Sequence, residues 1–154
     1  MRRQKFEIVP LRSIGPVHLG MSQDQSRSAF DVDPVNYEKV IGSGVFVDAY
    51  FESSFQVYFS KTDMLVEFIE LSKTPEHMVC LGTIDIFGTP ADELVTRITK
   101  ATKSQAESPD GGYSYLYRSL ELSLWRPVIP SDDEEGKYFK TVGIGVSGYG
   151  DDAV

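Results

Sequence analysis

The chain has 154 residues, which fits one ordinary domain or two very small packed units and is short for an enzyme that binds both a cofactor and a substrate. Hydrophobic residues make up 41% and charged residues 25%, enough apolar material for a packed core, so a disordered chain is excluded. The net charge of -8 repels nucleic-acid phosphates, so nucleic acid is not an expected partner.

Membrane and secretory segments are not expected. No stretch approaches the ~20 apolar residues that a spanning helix needs, and Glu7 and Arg12 interrupt the apolar residues after the basic start. The single cysteine, Cys80, cannot form an intramolecular disulfide and lies in an apolar run, as expected for a small buried residue in a reducing compartment. The sequence therefore predicts a soluble, cytoplasmic protein with no membrane partner.

Two segments carry helix signals. Ser22 and Gln25 have the spacing of a capping box at the start of the first. In the second, Thr89 is the expected cap, Pro90 occupies the first helical position, and the apolar stripe that follows predicts a helix to about Thr102.

Strand patterns with a period of two occupy 45–51, 55–59 and 65–71, and they return at 113–117, 122–128 and 138–146. Short polar turns separate the first three, which predicts an antiparallel meander because parallel crossovers need longer connections. The expected fold class is α+β, with two main helices and two antiparallel sheets in a single compact domain, 1–154.

The two halves of the sequence are similar in pattern. Gly20 precedes the first helix as Gly88 precedes the second, 68 residues later, and the same offset carries 45–50 onto 113–118. This predicts a tandem pair of helix-plus-antiparallel-sheet units, with an internal repeat of 13–77 and 81–148. The alternative is a chance similarity, because identity between the halves is low.

Catalytic signatures are weak. Gly143 to Gly148 matches G-x-G-x-x-G, but too few residues follow to form the helix that a dinucleotide site requires. His18 and His77 lie far apart without a second ligand at metal-binding spacing. We therefore predict no cofactor, no metal site and no catalytic residue.

An enzymatic or ligand-binding alternative uses a pocket between the sheets, with Glu67, Asp48 or His18 as acid–base groups. Glu70 follows Glu67 by three residues, so the two carboxylates are expected on opposite faces of a strand and not as a cooperating pair.

Aromatic residues predict an interaction surface. Tyr113, Tyr115 and Tyr117 recur at period two, and Trp125 lies in the next strand. In the first meander a second set is expected on the face opposite the aliphatic one: Phe46, Asp48, Tyr50, Gln56 and Tyr58. These rings either form an open surface or pack beneath another layer.

The loop 126–137 joins a Pro-Val-Ile-Pro stretch to four consecutive acids, Asp132, Asp133, Glu134 and Glu135. It is interpreted either as a solvated charge run or as a patch that binds a basic protein. The predicted partner-binding residues are these four acids together with Tyr113, Tyr115, Tyr117 and Trp125.

A helix plus antiparallel sheet repeated twice, with an aromatic and acidic sheet surface, resembles the beta-lactamase inhibitory protein family and the small acidic immunity proteins that neutralise bacterial toxins. The phrase from Ile14 to Ser22 is similar to the Gly-Met-Thr motif that opens the helix in small outer-membrane-assembly lipoproteins. The first resemblance implies a non-enzymatic module that masks a basic partner such as a toxin. The alternative function is a small-ligand-binding protein or small hydrolytic enzyme with an acidic pocket between the sheets.

Overall fold

The computed structural model describes residues 3–130 and 132–149. Within these ranges two helices and two sheets form an α+β fold, as predicted. The helices are α1 (Gln23–Arg27) and α2 (Ala91–Thr102). The strands are β1 (Gln4–Val9), β2 (Ser13–Ile14), β3 (Val17–His18), β4 (Val35–Glu38), β5 (Phe46–Tyr50), β6 (Phe55–Phe59), β7 (Val66–Ser72), β8 (His77–Leu81), β9 (Ile84–Asp85), β10 (Ser114–Tyr117), β11 (Leu122–Trp125) and β12 (Thr141–Gly145).

Each sheet takes strands from both halves of the chain. The five-stranded sheet has the order β3-β2-β1-β8-β9, and its central pair, β1 with β8, is parallel. The seven-stranded sheet has the order β10-β11-β12-β7-β6-β5-β4 and is antiparallel throughout. The predicted meander of β5, β6 and β7 is therefore confirmed, whereas the parallel β1–β8 pair was not expected from the sequence.

Both halves contribute their helix and sheet strands at matching positions. Residue 91, where α2 begins, lies 68 residues after residue 23, where α1 begins, and β10 begins 68 residues after β5. These offsets equal the sequence spacing between Gly20 and Gly88. The internal repeat nevertheless remains a prediction.

The helix signals are confirmed in part. Ser22 Oγ accepts a hydrogen bond from the Gln25 backbone N–H (3.2 Å), and Gln25 Oε1 accepts one from the Ser22 N–H (2.9 Å), so the capping box forms. The cap predicted at Thr89 is wrong, because its hydroxyl instead donates to the Asp85 carbonyl (2.6 Å) and Pro90 takes the N-cap position.

One hydrophobic core lies between the two sheets and α2. In β6, Phe55, Val57 and Phe59 are fully buried, and Leu94 and Ile98 of α2 pack into the same cluster. The rings of Phe6 and Phe55, whose centroids are 5.1 Å apart, join the five-stranded sheet to the seven-stranded one.

Asp48 lies on the inner side of β5, not opposite the aliphatic face as expected. The register pairs Asp48 with Val57 of β6 and Asn36 of β4, which turns its carboxylate toward α1. Arg27 donates from Nε to Asp48 Oδ2 (2.8 Å) and from Nη2 to Oδ1 (2.9 Å), and Asn36 Nδ2 donates to Oδ1 (2.9 Å). This fully buried carboxylate has three donors and fastens α1 to the sheet.

Replacing Arg27 with alanine is expected to lower the free energy of unfolding by about 3 kcal/mol, because it leaves the Asp48 charge buried without its main partner. The matched control is Arg97→Ala, which removes an exposed pair with Glu93 and should cost less than about 1 kcal/mol. Urea denaturation measures both, and equal losses would contradict the anchoring role of Asp48.

Candidate functional site: the outer face of the seven-stranded sheet

The seven-stranded sheet has a second face that carries its own layer of side chains. In β6, Gln56 and Tyr58 point away from the core. The register pairs Tyr58 with Val47 of β5 and Phe68 of β7, and it pairs Gln56 with Ala49 and Glu70. Tyr58 is 5% exposed and yet lies outside the core cluster, because it packs on this opposite side. We call this side the outer face.

Six residues at the middle of the outer face form what we call the Glu70 cluster: Tyr37, Gln56, Tyr58, Phe68, Glu70 and Tyr149. The Phe68 and Tyr149 rings stack at 4.8 Å, and Tyr58 meets Phe68 edge-on at 5.4 Å. Tyr149 comes from the turn after β12, which folds back over the sheet.

Two glycines make room for this aromatic stack. Gly143 and Gly145 belong to β12, where the register pairs them with Glu70 and Phe68. A Cβ on Gly143 would lie 2.2 Å from Phe68 Cζ, and one on Gly145 would lie 2.8 Å from Tyr149 Cβ. The G-x-G-x-x-G match therefore begins in a strand, as predicted, and its first two glycines form the floor under two rings.

A β-bulge brings Glu67 to the same side as Glu70. The register shifts between Tyr58 and Phe59, which pair with Phe68 and Val66, so Glu67 is an additional residue in β7. Burial, together with the negative fields of Glu67 and Glu70, raises the pKa of Tyr149 to about 12. The expectation that the two carboxylates lie on opposite faces is wrong, because the bulge changes the alternation.

Two of the three tyrosine hydroxyls of the cluster donate hydrogen bonds to Gln56. Its Oε1 accepts from Tyr37 (2.9 Å) and from Tyr58 (3.3 Å), while its Nε2 donates to the Ser53 carbonyl (3.0 Å). The amide orientation is fixed by these three contacts, and neither hydroxyl hydrogen is directed at Glu70.

Glu70 itself is half-buried, and no donor among the described residues forms a hydrogen bond to its carboxylate. Burial raises its pKa, and the nearby Lys39 ammonium lowers it by a smaller amount. Lys39 Nζ lies 4.8 Å from the centroid of the Tyr58 ring. A half-buried carboxylate beside tyrosine rings and a lysine can accept hydrogen bonds from a guanidinium or an ammonium group.

The predicted tyrosines of β10 lie on the inner side of the sheet. Tyr117 is 0% exposed, and its hydroxyl bonds to Val95 O (2.9 Å) and Thr99 Oγ1 (3.0 Å) of α2. Tyr115 packs edge-on against Phe139, and Tyr113 is half-buried. Period two correctly groups Tyr115 and Tyr117 on one face, but that face packs on the core, so Tyr117 is a core residue and not part of a contact surface.

Trp125 lies on the outer face, opposite Thr141, and is 44% exposed. The structure therefore separates it from Tyr115 and Tyr117. Tyr50, expected on the outer side, is buried in the core beside Phe30, because β5 pairs with β6 in a register that places Tyr50 opposite Phe55.

The acidic loop is exposed and anchored. Asp132, Asp133, Glu134 and Glu135 all lie at the surface. Asp133 caps a short turn by accepting from the Glu135 N–H (2.9 Å), and Glu135 pairs with Lys140 (3.1 Å). Asp132 and Glu134 have no ionic partner among the described residues.

Arg126 holds this loop in place, a role that the sequence analysis missed. It is 3% exposed and donates to the carbonyl oxygens of Gly112 and Gly136, each at 2.8 Å. The only sequence signal for this role is alternation: Arg126 follows Trp125 in a strand pattern, so an exposed Trp125 implies that Arg126 points inward.

The acid–base candidates do not converge. Asp48 lies inside the fold, Glu67 lies on the outer face and His18 belongs to the five-stranded sheet. Among residues 3–130 and 132–149, no three His, Cys, Asp or Glu side chains are grouped to hold a metal ion. In the same residues, no helix has the length and apolarity to cross a membrane.

Compared with protein-family models, curated proteins and solved structures, the chain has no match. The Glu70 cluster is thus characterised by its geometry alone.

Substituting Gly143 with alanine should reduce the free energy of unfolding by about 1–3 kcal/mol, because the new Cβ overlaps Phe68 and must displace the aromatic stack. Ser123→Ala is the control, since Ser123 is the β11 neighbour of Gly143 on the same face. Chemical denaturation gives both values, and a Gly143→Ala protein as stable as the control would refute the close packing of Phe68 on β12.

Glu70→Gln is expected to stabilise the protein at about pH 7 but not at about pH 4. The raised pKa means that the folded state binds the Glu70 proton more tightly than the unfolded chain does. Glu70 therefore contributes its full stabilisation when it is protonated, below its ordinary pKa of 4.5. This contribution is lost as the pH rises through the pKa of Glu70 in the folded state. Gln at this position has no charge to desolvate.

The comparison variant is Glu38→Gln. Backbone N–H groups of Gly42 and Gly44 lower the pKa of Glu38, so its charge stabilises the fold and this variant should lose stability at about pH 7. Urea denaturation at both pH values measures the two differences, and a Glu70→Gln protein less stable than the wild type at about pH 7 would contradict the desolvation of Glu70.

Proposed function

We propose that this protein is a non-enzymatic binding module of the bacterial cytoplasm that covers the basic surface of another protein with its outer face. An inhibitor or an immunity protein that masks a toxin is the kind of protein that would work in this way. The proposal commits to a partner that presents an arginine or lysine to the Glu70 cluster.

The half-buried Glu70 carboxylate, which lacks any described hydrogen-bond donor, is the observation that carries the proposal. A partially desolvated charge without donors is unfavourable unless something supplies them. A guanidinium or ammonium group from a partner would donate charge-assisted hydrogen bonds to Glu70 and lie against the Tyr58 ring, where Lys39 lies in the isolated chain.

The surroundings of the cluster also support a basic protein as the occupant. Tyr37 is 38% exposed and Trp125 is 44% exposed on the same face, and tyrosine and tryptophan contribute strongly to binding energy at protein interfaces. The exposed acids of the 132–135 loop follow β11 and add negative charge that would attract a positive surface.

Affinity isolation from the source cell first identifies the partner. The purified partner is then titrated with the wild-type chain and its variants, and the affinities are compared. Glu70→Lys should weaken binding by at least about tenfold, because it places a like charge against the partner's cation. The control, Glu7→Lys, makes the same charge change on the exposed face of β1, in the other sheet, and should leave affinity within about twofold.

Two further measurements distinguish long-range electrostatic attraction from direct contact with the partner. Glu134→Lys combined with Glu135→Lys should mainly slow association, and added salt should weaken binding, because exposed charges act at long range. An acidic partner, or a basic one that binds Glu70→Lys and the wild type equally well, would overturn the proposal.

A further inference from the structure

A cleft separate from the outer face lies where the chain passes from β7 to β8. It has a volume of about 780 Å³ and opens between the ends of the two sheets. The lining side chains used below are Arg3, Lys73, Asp85, Phe87 and Tyr138.

The cleft is basic, although the chain as a whole carries a net charge of -8. Lys73 has no carboxylate within ion-pair distance among the described residues, and its Nζ lies 4.4 Å from the centroid of the Tyr138 ring. Arg3 also lines the cleft and donates from Nη2 to the His77 carbonyl (2.7 Å), which positions the guanidinium without neutralising it.

The two acids that act on Lys73 have other contacts of their own but keep their negative charge. Asp85 Oδ1 accepts a hydrogen bond from the Gly88 N–H (2.9 Å), and Glu135 pairs with Lys140. Burial, followed by repulsion from Lys140, lowers the pKa of Lys73, and the negative charges of Glu135 and Asp85 oppose this. The cleft lining therefore has two positive side chains, Arg3 and Lys73, and one negative side chain, Asp85, and Lys73 forms no ion pair with the described residues.

From this arrangement we infer that the cleft binds a small oxyanion, a phosphate or a carboxylate, carried on an apolar or aromatic group. Lys73 and Arg3 donate charge-assisted hydrogen bonds to the anion, and the rings of Tyr138 and Phe87 contact the apolar part. This site does not depend on the proposed function of the outer face, because it shares no residue with the Glu70 cluster.

The experiment is an NMR titration of backbone amides in the full chain with three probes: phenyl phosphate, benzoate and neutral benzyl alcohol. Phenyl phosphate or benzoate should shift the amide signals of Lys73 and Thr74 and those of residues 85–88 in a saturable way, and the anion that binds more tightly identifies which oxyanion the cleft prefers. Benzyl alcohol should produce no saturable shift there.

Lys73→Gln should weaken binding of the preferred anion by about tenfold or more, because it removes the charge and keeps most of the side-chain length. Lys100→Gln, on the exposed side of α2, is the matched control and should bind as the wild type does. The amide spectrum also shows whether each variant is folded. Equal binding by Lys73→Gln, equal binding of benzyl alcohol, or the absence of saturable shifts with both anions would overturn the inference.

Discussion

The pairing of β7 with β12 is the interaction on which the rest of the structure depends. It joins strands from the two halves of the chain into one seven-stranded sheet, with Glu70 opposite Gly143 and Phe68 opposite Gly145. On the inner side, Ile69 and Ile144 meet in the core. On the outer side, the missing side chains of β12 leave the space in which the aromatic stack and the Glu70 carboxylate lie.

Asp48 and Glu70, two carboxylates of the seven-stranded sheet, differ in whether the protein itself compensates their charge. Asp48 is fully buried and accepts three hydrogen bonds from Arg27 and Asn36, so its charge is compensated inside the protein. Glu70 is half-buried, accepts no hydrogen bond from any residue that the structure describes, and has a raised pKa. A carboxylate that lowers stability at neutral pH and has no internal partner is typical of a residue retained for binding.

Much of the fold was predictable from local patterns, because alternation and short turns determine an antiparallel meander such as β5 to β7. Alternation cannot tell which of two faces meets the core, and for that reason Tyr117 was expected at a surface and is buried against α2. The bulge at Glu67 and the parallel pairing of β1 with β8 depend on contacts between distant segments, which a period does not encode. The sequence therefore predicted an aromatic and acidic sheet surface. Of the aromatic and polar residues assigned to it, only Gln56, Tyr58 and Trp125 lie on the outer face.

The most direct test of the account is a carbon-detected NMR titration of the side-chain carboxylates in the isolated protein, which needs no partner. Glu38, whose pKa two backbone N–H groups lower, provides an internal reference of opposite sign. The Glu70 carboxylate should take up its proton at a pH above the ordinary pKa of glutamate and above that of Glu38. A Glu70 carboxylate that titrates together with Glu38 would show that it is solvated or already paired, and would contradict the account.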